Sequence, residues 1–513
     1  MARAIVERLV LEGALVLTSP LSVGGGEETW ICDVPVALNG AGDVVIPGTS
    51  IAGALRSWFD GGVERKDDAF RTVWGFIKDD SSGGASHLVF HDAVMESGIL
   101  EMRDHVGIDR VEGRAADNIK FDRQSVARGA RFRFRLSADV PANEIGERVK
   151  DAMLHIRDIL SAGTIHLGGA TTRGYGAVKL EGATLGSISL RNRAEFLAAL
   201  AGSVAQVNDL APAQPVESRA RLVIRIRWTA VGPVMIKASE EGLEIKIVPL
   251  TTEVDGKQIP IIPGSSIKGV MRAMAERIMA TVCKIDQPTG SGGLRFRQMM
   301  GEDFKSSDRL VTALFGAASE DAEPGQTVRR RGKAALGFSD ARAKESGIPS
   351  KTWRQVTDEM GGIKSLREHG RREMHVAIDR FTAAPADGKL FSSLSLIGMQ
   401  YTDMKIELSP ERLSVLDAKE QAAALALLLL VLREMADGQV PIGSGSTRGH
   451  GMISVDGLSF SLEGSTDNAA IAELAGLAWE DFLKFVDGQD MSSRINAIVK
   501  GWRDYINPVR DVA

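Results

Sequence analysis

The chain has 513 residues, 44% of them hydrophobic and 25% charged, with a net charge of −5. That length exceeds a single ordinary core, so two domains are expected, and the composition excludes a disordered chain. The longest apolar run, Ala422 to Leu432, falls short of the roughly 18 residues of a membrane span, and Arg3, Glu7 and Arg8 surround a strand-like VLEGALVL rather than a signal peptide's apolar core, so a cytoplasmic protein is expected.

In chain order, alternating apolar residues predict a strand over Leu9 to Thr18. An extended segment containing ICDVPV then leads to an Ile-Pro-Gly turn, where Ser50 is the expected N-cap of a helix carrying Arg56. A strand ends at Asp92, and a basic hairpin-like segment follows His105, with eight basic and three acidic residues from Arg110 to Arg135. Arg131, Arg133 and Arg135 alternate with Phe132 and Phe134, as on a half-buried strand. An amphipathic helix is predicted over about Glu144 to Leu160, then a Gly-rich loop, a last strand and a short helix from Arg193 to Leu200.

The same order then returns. VVIPGTSIAGALR (Val44 to Arg56) matches PIIPGSSIKGVMR (Pro260 to Arg272) at an offset of 216 residues. Tryptophan-glycine followed by HLVFHDA matches phenylalanine-glycine followed by ALGFSDA, ending at Ala93 and Ala341. HVGIDR (His105 to Arg110) matches HVAIDR (His375 to Arg380) at 270, and GGATTRGYGAV (Gly168 to Val178) matches GSGSTRGHGMI (Gly443 to Ile453) at 275. Four landmarks repeated in order make an internal duplication. The growing offset puts inserted segments in the second copy, at about 279–374, with Arg329, Arg330 and Arg331 among them.

The expected plan is a first domain over 1–203, a linker over 204–217, a second domain over 218–460 and a helical tail over 461–513. In the second copy a strand is predicted from Arg221 to Val231, Ser266 caps the helix carrying Arg272, and a long helix runs over about Leu413 to Asp437. The tail has nine acidic and five basic residues, and its apolar stripe includes Trp479, Phe482, Leu483 and Phe485. Strand–helix–strand–strand–helix–strand is the order of an α+β, ferredoxin-like or RRM fold, here twice in tandem.

The paired motifs, I-P-G-[TS]-S-I-x-G-x-[LM]-R and G-x-x-x-T-R-G-[YH]-G, resemble those of the RAMP superfamily of CRISPR proteins. The C-D-x-P-V segment and the HVxIDR element resemble, more narrowly, the backbone subunit of type III effector complexes. The resemblance covers most of Leu9 to Lys179 and Leu222 to Val455, and a fusion of two such units is similar to type III-D effectors. It implies subunits stacked along a guide RNA (crRNA), with a palm gripping the guide and a thumb hairpin entering the duplex with target single-stranded RNA. Implied partners are neighbouring backbone subunits, a large polymerase-like subunit and a small subunit.

Candidate RNA-binding residues are Gly48, Ser50 and Arg56 at the first turn, and Ser266, Lys268 and Arg272 at the second. They extend to His105, Arg110 and Arg123 in the first hairpin and to His375 and Arg380 in the second. In the Gly-rich loops they are Gly169, Arg173 and Gly174, then Arg448 and Gly449. Glycine lets backbone amides approach phosphate, arginines add charge-assisted contacts, and histidines can stack on bases.

The resemblance further implies that Asp33 is catalytic, the aspartate of a metal-dependent endoribonuclease in which Mg²⁺ or Mn²⁺ is held jointly by Asp33 and RNA. Aligning Pro249 with Pro35 places Ile247 at this position in the second copy, so only the first half is expected to cut. Two alternatives stay open: a non-catalytic scaffold for guide RNA, and a precursor-processing endoribonuclease using His105 or His166. A third reading, a small-molecule enzyme, lacks any P-loop, Rossmann or nucleophile-elbow motif. With two distant cysteines, Cys32 and Cys283, no zinc is expected.

Overall fold

A computed structural model describes residues 4–26, 28–30, 32–60, 68–79, 82–110, 112–201, 205–206, 219–239, 242, 245–283, 308–317, 333–344, 347–358, 370–487 and 495–512. The chain divides into two compact units. The first comprises Met1–Glu101, Arg123–Thr171 and Tyr175–Glu217; the second comprises Met102–Asp122, Thr172–Gly174 and Ser218–Ala513.

In the first unit the strand Ile5–Leu17 lies at the centre of a sheet. It pairs antiparallel with the last strand, Val178–Ser189, on one side and with Arg131–Pro141 on the other. Arg131–Pro141 in turn pairs with Leu88–Phe90 and Ala93–Ser97. This fourth–first–third–second order, with helices Gly48–Asp60 and Glu144–Ala162 as crossovers, is the ferredoxin-like arrangement.

The alternation read from the sequence explains the third strand. Phe132, Phe134, Leu136, Ala138 and Val140 are all buried. Arg131, Arg133 and Arg135 point to the other face and pair with Glu181, Glu96 and Glu12. The helix Glu144–Ala162 starts where the Asn143 side chain accepts from the Ile145 amide and stops at Gly163, whose φ of 69° ends it.

The second unit repeats the sheet. Arg221–Ala230 lies between Met404–Leu408 and Ile453–Glu463, and Leu336–Phe338 forms the far edge. Its crossovers are Gly264–Cys283 and Ala418–Ala436. The helix expected from Leu413 is interrupted, because Asp417 and Glu420 form a capping box that starts a new helix at Ala418. The tail folds as three helices, Ala469–Ala475, Trp479–Val486 and Asn496–Val512, whose Ile471, Phe482, Ile498 and Ile506 join this unit's core. Gly501 is required there, since a Cβ would collide with that of Ala422 on the crossover helix.

Two long hairpins project from the sheets: Leu100–Ile108 with Ala115–Val126, and Gly370–Ile378 with Pro385–Leu396. Of the expected linker only Ala205–Gln206 is described, and it is a short strand. Of the expected insert, 284–307, 318–332, 345–346 and 359–369 lie outside the described residues, and Arg329, Arg330 and Arg331 fall among them. No helix among the described residues is long and apolar enough to cross a membrane.

Candidate nucleic-acid interface

The helix after each Ile-Pro-Gly turn begins at the glycine, so Ser50 and Ser266 lie inside the first turn and are not the N-caps the sequence suggested. The cap comes from the end of the second strand. The Gly48 amide donates to Asp92 Oδ1 at 2.8 Å, and the Gly264 amide donates to Asp340 Oδ1 at 2.8 Å. A carboxylate at a helix N-terminus satisfies an orphan donor and opposes the helix dipole. Because the cap is remote in sequence, no local pattern announces it.

Gly168 and its neighbours also act differently from expectation. The Gly169 amide donates to the Ser22 carbonyl at 2.8 Å, and Ser444 does the same to Met235 at 2.9 Å. Gly176 and Gly451 donate to Pro20 and Pro233. A Cβ on Gly168 would strike the Ser22 carbonyl, and one on Gly176 the Leu167 carbonyl. These glycines allow two backbones to zip together; the Gly169 amide is not left for phosphate. Of the charged side chains in these loops, Arg173 is half-buried and Arg448 is exposed. Gly174 packs against Asp340, whereas a Cβ at Gly449 would meet open space.

Within the second unit four cations gather with Lys268 near their centre. Burial, together with Arg173, Arg272 and Arg412, pushes the Lys268 pKa down to about 7. Its Nζ donates to Thr172 Oγ1 at 3.0 Å. Burial is the larger cause and the neighbouring arginines add to it; an anion placed among these groups would favour the ammonium form. Arg272 is less available: it donates to Glu276 at 2.7 Å and to the Gly316 carbonyl at 2.9 Å. Arg56 likewise reaches the Trp74 carbonyl and lies over Phe70. Both arginines brace their helices.

The HVxIDR elements form the outgoing strand and tip of each hairpin. His105 stacks on Phe121 at 5.0 Å and His375 on Phe391 at 4.9 Å, so each histidine already has an aromatic partner in its own hairpin. Asp109 and Asp379 close the tips by accepting backbone amides, from Glu112 and from Phe381 and Thr382. Those amides hold the Asp379 carboxyl below its usual pKa. Arg110 pairs with Glu276 at 2.7 Å, while Arg380 is exposed beside Phe381, which is 100% accessible.

Asp33 is exposed on a loop fastened to the base of the first hairpin. Val34 bridges in parallel to Arg123, the Gln124 amide donates to the Val34 carbonyl at 3.0 Å, and the Val36 amide donates to the Gln124 side chain. Arg123 donates to Ser22 Oγ at 2.9 Å, beside Gly169. This brings Asp33's loop, Arg123 and the Gly-rich loop to one place. Trp30, which the sequence reading passed over, is 94% exposed three residues before Asp33. An isolated indole on a turn carries no periodicity to mark it.

The second copy corrects the proline alignment by one residue. Ile247 bridges in parallel to Ser393, and the Leu394 amide donates to the Ile247 carbonyl. Ile247 therefore stands where Val34 does, and Lys246, also exposed, takes the place of Asp33. The second copy has a cation at this position.

Among the described residues no three His, Cys, Asp or Glu side chains cluster to hold a metal. An exposed carboxylate such as that of Asp33 suits an ion that keeps most of its waters and is shared with phosphate, the usual habit of Mg²⁺.

A profile of the RAMP superfamily matches residues 14–179 and again 228–454. The chain is also similar to the CRISPR system Cms endoribonuclease Csm3 of Methanocaldococcus jannaschii, 23% identical over 203 residues, covering 34% of this chain and 78% of that protein.

Proposed function

The chain belongs to the RAMP superfamily, and from that premise we propose that it is a two-unit, guide-RNA-binding backbone subunit of a type III CRISPR effector complex whose first unit cleaves target RNA. The observation that carries the cleavage reading is the pair of equivalent loops, with an exposed Asp33 in one and Lys246 in the other. The name of the similar archaeal protein, an endoribonuclease of a CRISPR system, supports the reaction class.

The guide's phosphates are drawn to Arg173, Lys268 and Arg448, and the hairpins meet the guide–target duplex with Phe381 exposed at one tip. In the cleavage step the ribose 2′-oxygen attacks its adjacent phosphorus, the phosphorus–O5′ bond breaks, and a cyclic phosphate and a 5′-hydroxyl result. The Asp33 carboxylate takes the proton of the 2′-hydroxyl, and the leaving oxygen gains one from water. Arg123 fixes the loop against the hairpin base, so the carboxylate is held by backbone pairing rather than by a flexible turn. Mg²⁺ or Mn²⁺, when bound between Asp33 and the RNA, would neutralise phosphate charge.

The experiment is purification from the host, sequencing of co-purified small RNA, and cleavage of a matched target with Mg²⁺. Uniform guides are expected, and Asp33→Ala should slow cleavage by on the order of 10²-fold or more. Lys246→Ala should leave every cut intact. Absence of bound guide overturns the binding reading; undiminished cutting by Asp33→Ala overturns the catalytic one and leaves a scaffold.

A further inference from the structure

The helix-capping aspartates differ in what else they hold. Asp340 caps Gly264 through Oδ1 and receives Arg103 Nη1 on Oδ2 at 2.9 Å, with the two side chains only 8% and 2% exposed. Arg103 lies in the hairpin tip that belongs to the second unit. Seven residues on, Arg110 reaches Glu276 at 2.7 Å, and Gly174 packs on Asp340 as well. A hairpin with two arginines is thus seated on two carboxylates.

The first unit carries the same receptor. Asp92 caps Gly48 with the same geometry but is exposed. Asp60 stands in the place of Glu276, one turn beyond Arg56, and its Oδ1 is buried with no hydrogen-bond partner. The second hairpin, the counterpart of the donor, keeps Arg380 in the place of Arg110. In the place of Arg103, however, it has Glu373, by the 270-residue offset that relates the hairpins. Glu373 faces His450 at 3.4 Å and His375 at 3.9 Å.

We propose that Asp92 is the docking acceptor for an arginine-bearing hairpin of a different backbone subunit, and that Glu373 bars a second copy of this chain from being that subunit. The occupant follows from the seated hairpin in the second unit, which shows what fits this receptor. The exclusion follows from charge, since Glu373 delivered to Asp92 sets two carboxylates against each other where the seated pair has opposite signs. One chain therefore adds once to an assembly and does not extend itself. The inference rests on the backbone-subunit reading, but its readout is protein association without RNA.

The test is sedimentation velocity on RNase-treated full-length chains, with thermal melting to confirm folding. Wild-type chains should stay at monomer mass, while Glu373→Arg should self-associate at least tenfold more tightly. Adding Asp92→Arg to that variant should return it to wild-type behaviour. Wild-type chains associating as tightly as Glu373→Arg, or association surviving Asp92→Arg, overturn the proposal. So does a folded Glu373→Arg that remains monomeric. Should Glu373→Arg fail to fold, Asp92→Arg in the complex purified from the host decides: loss of one neighbouring backbone subunit with guide RNA still bound supports the proposal, and a full set of subunits overturns it.

Discussion

Asp92 and Asp340 cap equivalent helices yet should differ sharply in worth. Asp92 is exposed, so Asp92→Ala removes a cap and should cost about 1 kcal/mol. Asp340→Ala also strips the carboxylate from a guanidinium that is 2% exposed, and should cost about 3–5 kcal/mol. Urea unfolding of the two variants checks the difference. Lys268 offers a second test. Its pKa of about 7 means that the folded protein sheds this proton above pH 7, while the unfolded chain keeps it to about 10.5. The unfolded state then binds more protons across that window, so this group's contribution to stability rises with pH between 7 and 10.5. A bound phosphate favours the ammonium, so RNA binding should take up a proton. Affinity should fall as pH rises through 7, approaching tenfold per pH unit for one linked proton, and Lys268→Met should flatten the slope. Filter binding from pH 6 to 9 measures it.

At the scale of elements, some features were legible in the sequence and others were not, for physical reasons. The central strands and the helix Glu144–Ala162 follow from apolar periodicity, and Arg193–Leu200 matches its expected bounds. Phe132 and Phe134 were read inward from alternation, and Phe132→Ala should cost about 3–5 kcal/mol in the same urea assay. The arginines alternating with them face the other way and form ion pairs with Glu12, Glu96 and Glu181. The helix caps were misread because Ser50 sits at the right place locally, while the real cap arrives from a strand 44 residues away. Burial of the tail was left open by its sequence, since an apolar stripe does not say what it packs on. Gly501 identifies the crossover helix as the surface, and Gly501→Leu should lower stability by about 1–3 kcal/mol.

For the whole molecule, duplication was visible in the sequence alone. Ordered motifs at related offsets require two copies of one fold, because a motif repeated in order brings its strand and helix periodicity with it. The α+β class, the tandem plan and the family resemblance all came from that pattern, and the RAMP matches to both halves agree. Tertiary structure alone decided how the copies differ. Backbone pairing across the hairpin base puts Lys246, not Ile247, opposite Asp33, a shift of one residue that alignment on a proline could not detect. Ion pairs between residues 166 and 237 positions apart separate an occupied receptor from an open one. Local periodicity records which way a side chain faces; which partner it meets depends on chain closure over distances that no short pattern encodes.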